Sequence, residues 1–175
     1  MRDSKGEGLP KDWRGLALVG LLALVLRLLY LGESASSPFF TSPVIDARTY
    51  VDEALALAGG AWAGPPGPFW QPPLYPYLLG LVFKVCGENY YAPRLLQALL
   101  GAASCVLLWC IGRRIFPPPI ALGAGLAAAA YGPLIYFGGE LLPAIPALFL
   151  YLLFFFSLIH PLCPGPWRWL CSGAL

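Results

Sequence analysis

Four apolar runs dominate the chain, at residues 15–32, 95–112, 115–139 and 141–159. Each is near the ~17–25 residues that a helix needs to cross ~30 Å of hydrocarbon. The last three hold no charged residue, and the first holds only Arg27. Between the first and second runs lies a segment, residues 42–94, that is dense in Pro and aromatic residues and carries carboxylates.

With 58% hydrophobic and only 11% charged residues, the chain is excluded from ordinary soluble domains. Helices satisfy their own backbone hydrogen bonds where no water is available. The expected fold is therefore all-α, a polytopic membrane bundle of about four transmembrane helices with interfacial helices in a long first extracytoplasmic loop, about residues 33–94. A tail of residues 1–14 precedes a membrane unit of residues 15–175.

Charge sets the expected orientation. With four crossings, Arg2, Lys5, Lys11, Arg14, Arg113, Arg114 and Arg168 share one face, which the positive-inside bias makes cytoplasmic. The other face receives Arg48, Lys84 and Arg94 together with Glu33, Asp46, Asp52, Glu53, Glu88 and Glu140. The first run is too long for a signal peptide and holds Arg27, so it reads as a retained helix with the N-terminus in the cytoplasm. Cysteines 86, 105, 110, 163 and 171 show neither a disulfide framework nor metal-ligand spacing and read as small apolar fillers. The closing residues WRWLCSGAL read as the opening of a further apolar run, so the chain is expected to be the N-terminal portion of a larger protein.

Within the loop, Tyr50, Val51, Ala54, Leu55 and Ala58 recur at helical spacing with Arg48, Asp52 and Glu53 between them. An interfacial amphipathic helix over Asp46–Ala58, ended by Gly59 and Gly60, follows from that pattern. Six prolines between residues 64 and 77 forbid a regular helix there and favour a stiff, extended path. Leu74–Cys86 is apolar, yet as a helix it rises only ~20 Å and is read as dipping in and staying on the outer side. Gly87 breaks it, and Asn89 is placed to cap the next helix.

Several residues are candidates for chemistry. Asp46 stands where the amphipathic helix starts, which suits both an N-cap and a reactive carboxylate. Asp52 and Glu53 read as that helix's solvated face. Glu140 follows a long uncharged run with nothing nearby in sequence to pair with it, and an ionisable group at such depth needs a cavity or a partner. Arg27, ~8 Å from the outer end of its run, is read as snorkelling to the outer interface, alone or toward Glu33, a loop carboxylate or a lipid phosphate. Arg94 and Lys84 flank the Gly87 break, where either can meet a phosphate. The loop aromatics read as interfacial anchors, and His160 as a helix-end residue. No phosphate-cradling glycine loop, nucleophile elbow or basic nucleic-acid face is present.

The run WQPPLYPYLLGLVFKVCGENYYAPRLLQALLGAASCVLLWCIGRRIF, with R-x-x-Y at Arg27 to Tyr30, D-x-x-x-Y at Asp46 to Tyr50 and the later YFGGELL, resembles the first third of GT-C class membrane glycosyltransferases. It is most similar to the branch of protein O-mannosyltransferases and bacterial aminoarabinose transferases. The resemblance implies transfer of a hexosyl or pentosyl unit from a polyprenyl-phosphate carrier to a lipid, glycan or protein acceptor outside a bacterial plasma membrane. It makes Asp46 the general base and gives Glu140 the orienting of the site. A divalent cation held by Asp46 and Glu140 is a further implication. Gln71 in Q-P-P-L occupies a position where relatives often carry Lys; with Arg27 and Arg94 it completes the candidate phosphate-binding set. Two other readings stand beside this one, a non-catalytic transporter or flippase of a lipid-linked saccharide and an inactive or structural membrane fragment.

Overall fold

The computed structural model describes residues 12–64, 67 and 70–159. His160, Cys163, Arg168, Cys171 and the tail before Asp12 lie outside the described residues. The described residues form seven helices and no strand: α1 (Trp13–Ser34), α2 (Asp46–Ala58), α3 (Leu74–Cys86), α4 (Tyr91–Ile115), α5 (Pro118–Ala130), α6 (Gly132–Gly139) and α7 (Ala144–Ile159), with a 3-10 turn at Pro38–Phe40.

The long helices form the frame. α1 has 22 residues and α4 has 25, so at helical rise they extend ~33 and ~37 Å, enough to cross a bilayer. They run antiparallel, since Gly15 of α1 lies against Trp109 late in α4 and Arg27 lies against Gly101 earlier in it. The buried residues of α1 are Gly15, Val19, Ala23, Arg27 and Leu31, a single ridge of every fourth residue. Small side chains on that ridge let the backbones approach, and Trp109 fills the space they leave.

The third apolar run is not one straight helix. It divides at Tyr131 into α5 and α6, bent by 46°. Pro133 is the cause: it has no N–H to return to the Ala129 carbonyl four residues earlier, and its ring obstructs a continuous helix. Two helices, α1 and α4, are therefore long and apolar enough to cross a membrane, and the bent α5–α6 pair makes a third if it counts as one span. α7 has 16 residues up to the last described position, ~24 Å at helical rise.

Beside this frame lies a second layer. α2 packs on α3, with Gly80 of α3 admitting the Ala54 carbonyl and Leu57 Cβ of α2, each about 3 Å from where a side chain would begin. Both helices have the bounds expected from the sequence. Gly87 ends the α3 segment at φ +70°, a conformation that favours glycine, and Asn89 Oδ1 accepts from Tyr91 N at 2.9 Å to start α4. α3 is apolar on two faces: Tyr75, Leu79 and Phe83 are buried, while Leu74, Leu81 and Val85 are exposed. A second apolar face of that kind suits contact with lipid.

Gly125 of α5 marks the tightest three-helix contact, because a Cβ there would meet Trp109 Cβ and Val19 Cγ2 at 3.0 Å each. Gly125→Val is expected to destabilise the bundle by about 1–3 kcal/mol through overpacking, read as a lowered thermal midpoint in detergent.

Candidate functional site

The C-terminal end of α1, the N-terminal end of α4 and the C-terminal end of α6 meet where α2 and α3 dock, and both candidate acids lie at this loop-bearing end. Asp46 opens α2 and is exposed. It is not the N-cap: the cap position falls on Ile45, no side chain caps the helix, and Asp46 is the first residue of the first turn. Its carboxylate is thus stabilised by the helix dipole without being tied to a backbone N–H. Ile45 has φ +55°, a strained conformation for a β-branched residue that costs on the order of 1–3 kcal/mol. That strain turns the chain sharply just before the acid. Asp52 is solvated as expected and pairs with Arg48 at 3.6 Å, whereas Glu53 is half-buried with Oε2 lacking a hydrogen-bond partner among the described residues.

Glu140 follows α6, where the chain turns toward α7. The carbonyl of Gly139 is orphaned because α6 ends there: Glu140 is extended, so no N–H four positions on continues the helix ladder. Arg94 Nε supplies the missing bond at 2.7 Å, and its Nη1 donates to Tyr90 O at 3.0 Å. Only 3% exposed, the Arg94 guanidinium lies 4.0 Å from the centre of the Phe40 ring, the buried residue of the 3-10 turn. Arg94 therefore binds the first loop to the second. Glu140 and Tyr30 both lie within its electrostatic reach.

One turn further along α4, Gln97 is 1% exposed and fully engaged. Its Nε2 donates to Gly138 O at 3.1 Å and to Glu140 O at 2.6 Å, and its Oε1 accepts from the Tyr75 hydroxyl. Burial pushes the Tyr75 hydroxyl far above the usual phenol range, with Arg94 opposing and Tyr50 and Glu140 adding, so it remains a donor. The Tyr75 ring meets the Tyr50 ring edge-on at 5.0 Å. Burial also raises Tyr50, and the charges of Asp46 and Glu53 raise it further. Ala47 and Leu141, the neighbours of Asp46 and Glu140, belong to one buried cluster with Tyr50, Tyr75, Leu79 and Phe83. The two acids are thus attached to the same small core.

Arg27 takes a different place from the one expected. It is 2% exposed and does not snorkel to the loop-bearing end; its Nη1 donates to Ala23 O at 2.9 Å and over a long 3.5 Å to Ala129 O, and its Nη2 faces Cys105 Sγ at 3.6 Å. The reason is geometric, since helical side chains lean toward the N-terminus and Arg27 points back along α1. Gly101 makes the room, as a Cβ there would lie 2.6 Å from Arg27 Nε. Contact with Glu33 or a phosphate is replaced by a cap on α5, whose Ala129 carbonyl was orphaned by Pro133.

Gln71, on the segment entering α3, is half-buried with Oε1 lacking a hydrogen-bond partner among the described residues. Lys84 is exposed and holds its ammonium 4.9 Å over the Trp62 ring. Among the described residues no three His, Cys, Asp or Glu side chains converge to hold a metal, so Asp46 and Glu140 find no third protein ligand there. Gln97 and Phe40 are not marked by the sequence pattern, while Tyr50 and Tyr75, expected on an amphipathic helix and as an interfacial anchor, are instead buried together in the core beneath the acids. The signal for Gln97 was present, as a lone amide in an apolar run.

Arg94→Ala leaves the Gly139 carbonyl unpaired and Phe40 unstacked. Unfolding in detergent is expected to show a loss of about 2–4 kcal/mol, well above that of an exposed control such as Lys84→Ala.

Residues 70–175 match the family model described as dolichyl-phosphate-mannose-protein mannosyltransferase. That span contains Gln71, Tyr75, Arg94, Gln97 and Glu140 and begins after Arg27 and Asp46. Neither the curated proteins nor the solved structures returned a match. The chain belongs to the dolichyl-phosphate-mannose-protein mannosyltransferase family, integral membrane glycosyltransferases that draw their sugar from a polyprenyl-phosphate donor.

Proposed function

We propose that the loop-bearing end lies on the extracytoplasmic side of a plasma membrane, bacterial by the resemblance, and transfers a hexosyl or pentosyl unit from a polyprenyl phosphate to an acceptor hydroxyl, with Asp46 as general base. The observation that carries this reading is the shared core of Ala47 and Leu141, which ties the segments of both acids together, with Glu140 within electrostatic reach of the buried Arg94. Orientation follows from charge. Gly15 packs on Trp109, so Arg14 lies at the same end as Arg113 and Arg114, and the positive-inside bias makes that end cytoplasmic.

The chemistry needs few groups. The acceptor oxygen forms a bond to the anomeric carbon as the bond from that carbon to the phosphate oxygen breaks. The acceptor proton passes to the Asp46 carboxylate, and the bonding pair leaves on the polyprenyl phosphate. A positioned base contributes ~10²–10⁴ in rate. The leaving group is already a phosphate, so stabilising its charge is the larger task, and Arg94, within electrostatic reach of Glu140, is the cation we assign to it. Glu140 orients the acceptor or donor sugar by hydrogen bonding, and Gln71 lines the approach from α3. The family's acceptors make a protein, glycan or lipid hydroxyl the partner. A saccharide transporter draws less support, because Arg27, the intramembrane cation that a polar path would use, is committed to carbonyls of α1 and α5.

Asp46→Asn in the full-length protein is expected to lower kcat by at least ~10²-fold with membrane abundance unchanged, assayed in detergent with a polyprenyl-phosphate sugar and hydroxyl acceptors. Detergent removes the barrier that transport requires, so product made there by the parent protein speaks for catalysis. Full activity of the variant removes Asp46 from the mechanism.

A further inference from the structure

We propose that Gln97 is a positioning residue whose side-chain amide sets the spacing between Asp46 and Glu140, on which the transfer reaction proposed above rests. The amide reaches both acids by separate routes. On its nitrogen side it grips the carbonyls of Gly138 and Glu140, so the peptide leading into the second acid is held from both directions. On its oxygen side it takes the Tyr75 hydroxyl, and Tyr75 meets Tyr50 edge-on. Tyr50 stands one turn after Asp46 on the same face of α2.

Three features make this arrangement a spacer as well as core packing. The orientation of the amide is dictated, because two carbonyl acceptors require the nitrogen and leave the oxygen for the tyrosine. Both amide hydrogens are used, and the group is buried where water cannot substitute. The segment it holds leaves the helix at Glu140, which adopts φ −83° and ψ 144° between α6 and α7: the Glu140 N–H makes the last bond of the α6 ladder, to Tyr136 O at 3.3 Å, and the Glu140 carbonyl that Gln97 grips lies beyond that ladder. Without Gln97 the hydrogen bonds left to the second acid's segment are those of Arg94 to Gly139 O, Glu140 N to Tyr136 O and Leu142 N to Glu140 O, none of which connects to α2, so only the apolar packing of Leu141 couples it to that helix.

The test combines kinetics with a distance measurement on the full-length protein in lipid nanodiscs. Gln97→Met keeps the volume and removes every hydrogen bond; kcat is expected to fall ~10–100-fold while the donor KM stays within ~3-fold, the scale of a displacement near 1 Å. Spin labels on Arg48→Cys of α2 and Phe137→Cys of α6, both exposed sites, with Cys86, Cys163 and Cys171 replaced by Ser, are expected to give a distance distribution that broadens or shifts with Gln97→Met. Gln97→Glu supplies the readout that simple packing would not move. Its carboxylate accepts from Tyr75 but repels the carbonyls; on protonation it regains one donor, so its activity relative to the parent is expected to recover as pH falls, while Gln97→Met stays flat. The charged and titratable groups facing it are Arg94 on its own helix, Tyr75 of α3 and Glu140. If Gln97→Met inserts poorly, Tyr75→Phe removes the hydroxyl alone and is expected to lower kcat in the same direction. An unchanged kcat and an unchanged distance distribution in both variants overturn the proposal. A parent protein without transferase activity, but with a distance distribution that Gln97→Met disturbs, overturns the catalytic reading and leaves the spacing role standing.

Discussion

A carbonyl freed inside an apolar bundle has no water to turn to and must be met by another part of the protein. The break at Pro133 and the end of α6 create two such carbonyls, at Ala129 and Gly139; Arg94 on α4 meets the second at 2.7 Å, and Arg27 on α1 reaches the first over a long 3.5 Å. These pairings are what allow the third apolar run to bend and then stop at the loop-bearing end with Glu140 outside any helix. A straight helix through residues 115–139 would carry the second acid elsewhere. The cations therefore serve the backbone first, and the position of the acids follows from that service.

Around the Arg94 bond the structure builds outward in both directions. Phe40 lies under the guanidinium and holds the start of the first loop, and the strained Ile45 turns the chain so that Asp46 opens α2 in solvent. Gln97 holds the peptide of the second acid, while Tyr75 and Tyr50 connect it to α2. Asp46 is exposed and Glu140 half-buried, although the immediate neighbour of each, Ala47 or Leu141, is buried. A carboxylate anchored through its buried neighbours is what proton removal from a weakly nucleophilic hydroxyl requires.

Much of the fold was legible in the sequence because the punctuation is strong. Gly59, Gly60 and Gly87 end helices, Pro72 and Pro73 stand just before α3, and the bounds of α2 and α3 follow directly. The break at Tyr131 was not read, because hydropathy and charge treat Pro133 as one more uncharged residue and ignore the carbonyl four positions earlier. Arg27 was assigned the wrong direction for a related reason: distance to the end of the run was weighed, and the lean of helical side chains was not. Asp46 and Glu140 were legible as isolated acids beside apolar segments. Their surroundings were not, since Arg94 and Gln97 meet the second loop across 45 and 43 residues of sequence, and no local pattern reports such a contact. Asp46 also read as a cap, and only the backbone at Ile45 shows that the cap falls one residue earlier, leaving Asp46 as the first helical residue.

The central claim is that both acidic loops open on the same, non-cytoplasmic face. Membrane-impermeant maleimide applied to sealed right-side-out and inside-out vesicles carrying single cysteines at Thr41 or at Tyr136, both exposed positions, tests it most directly. The account predicts that both react in right-side-out vesicles and neither reacts in inside-out ones. Labelling of the two from opposite faces, or of both from the cytoplasmic face, would contradict it.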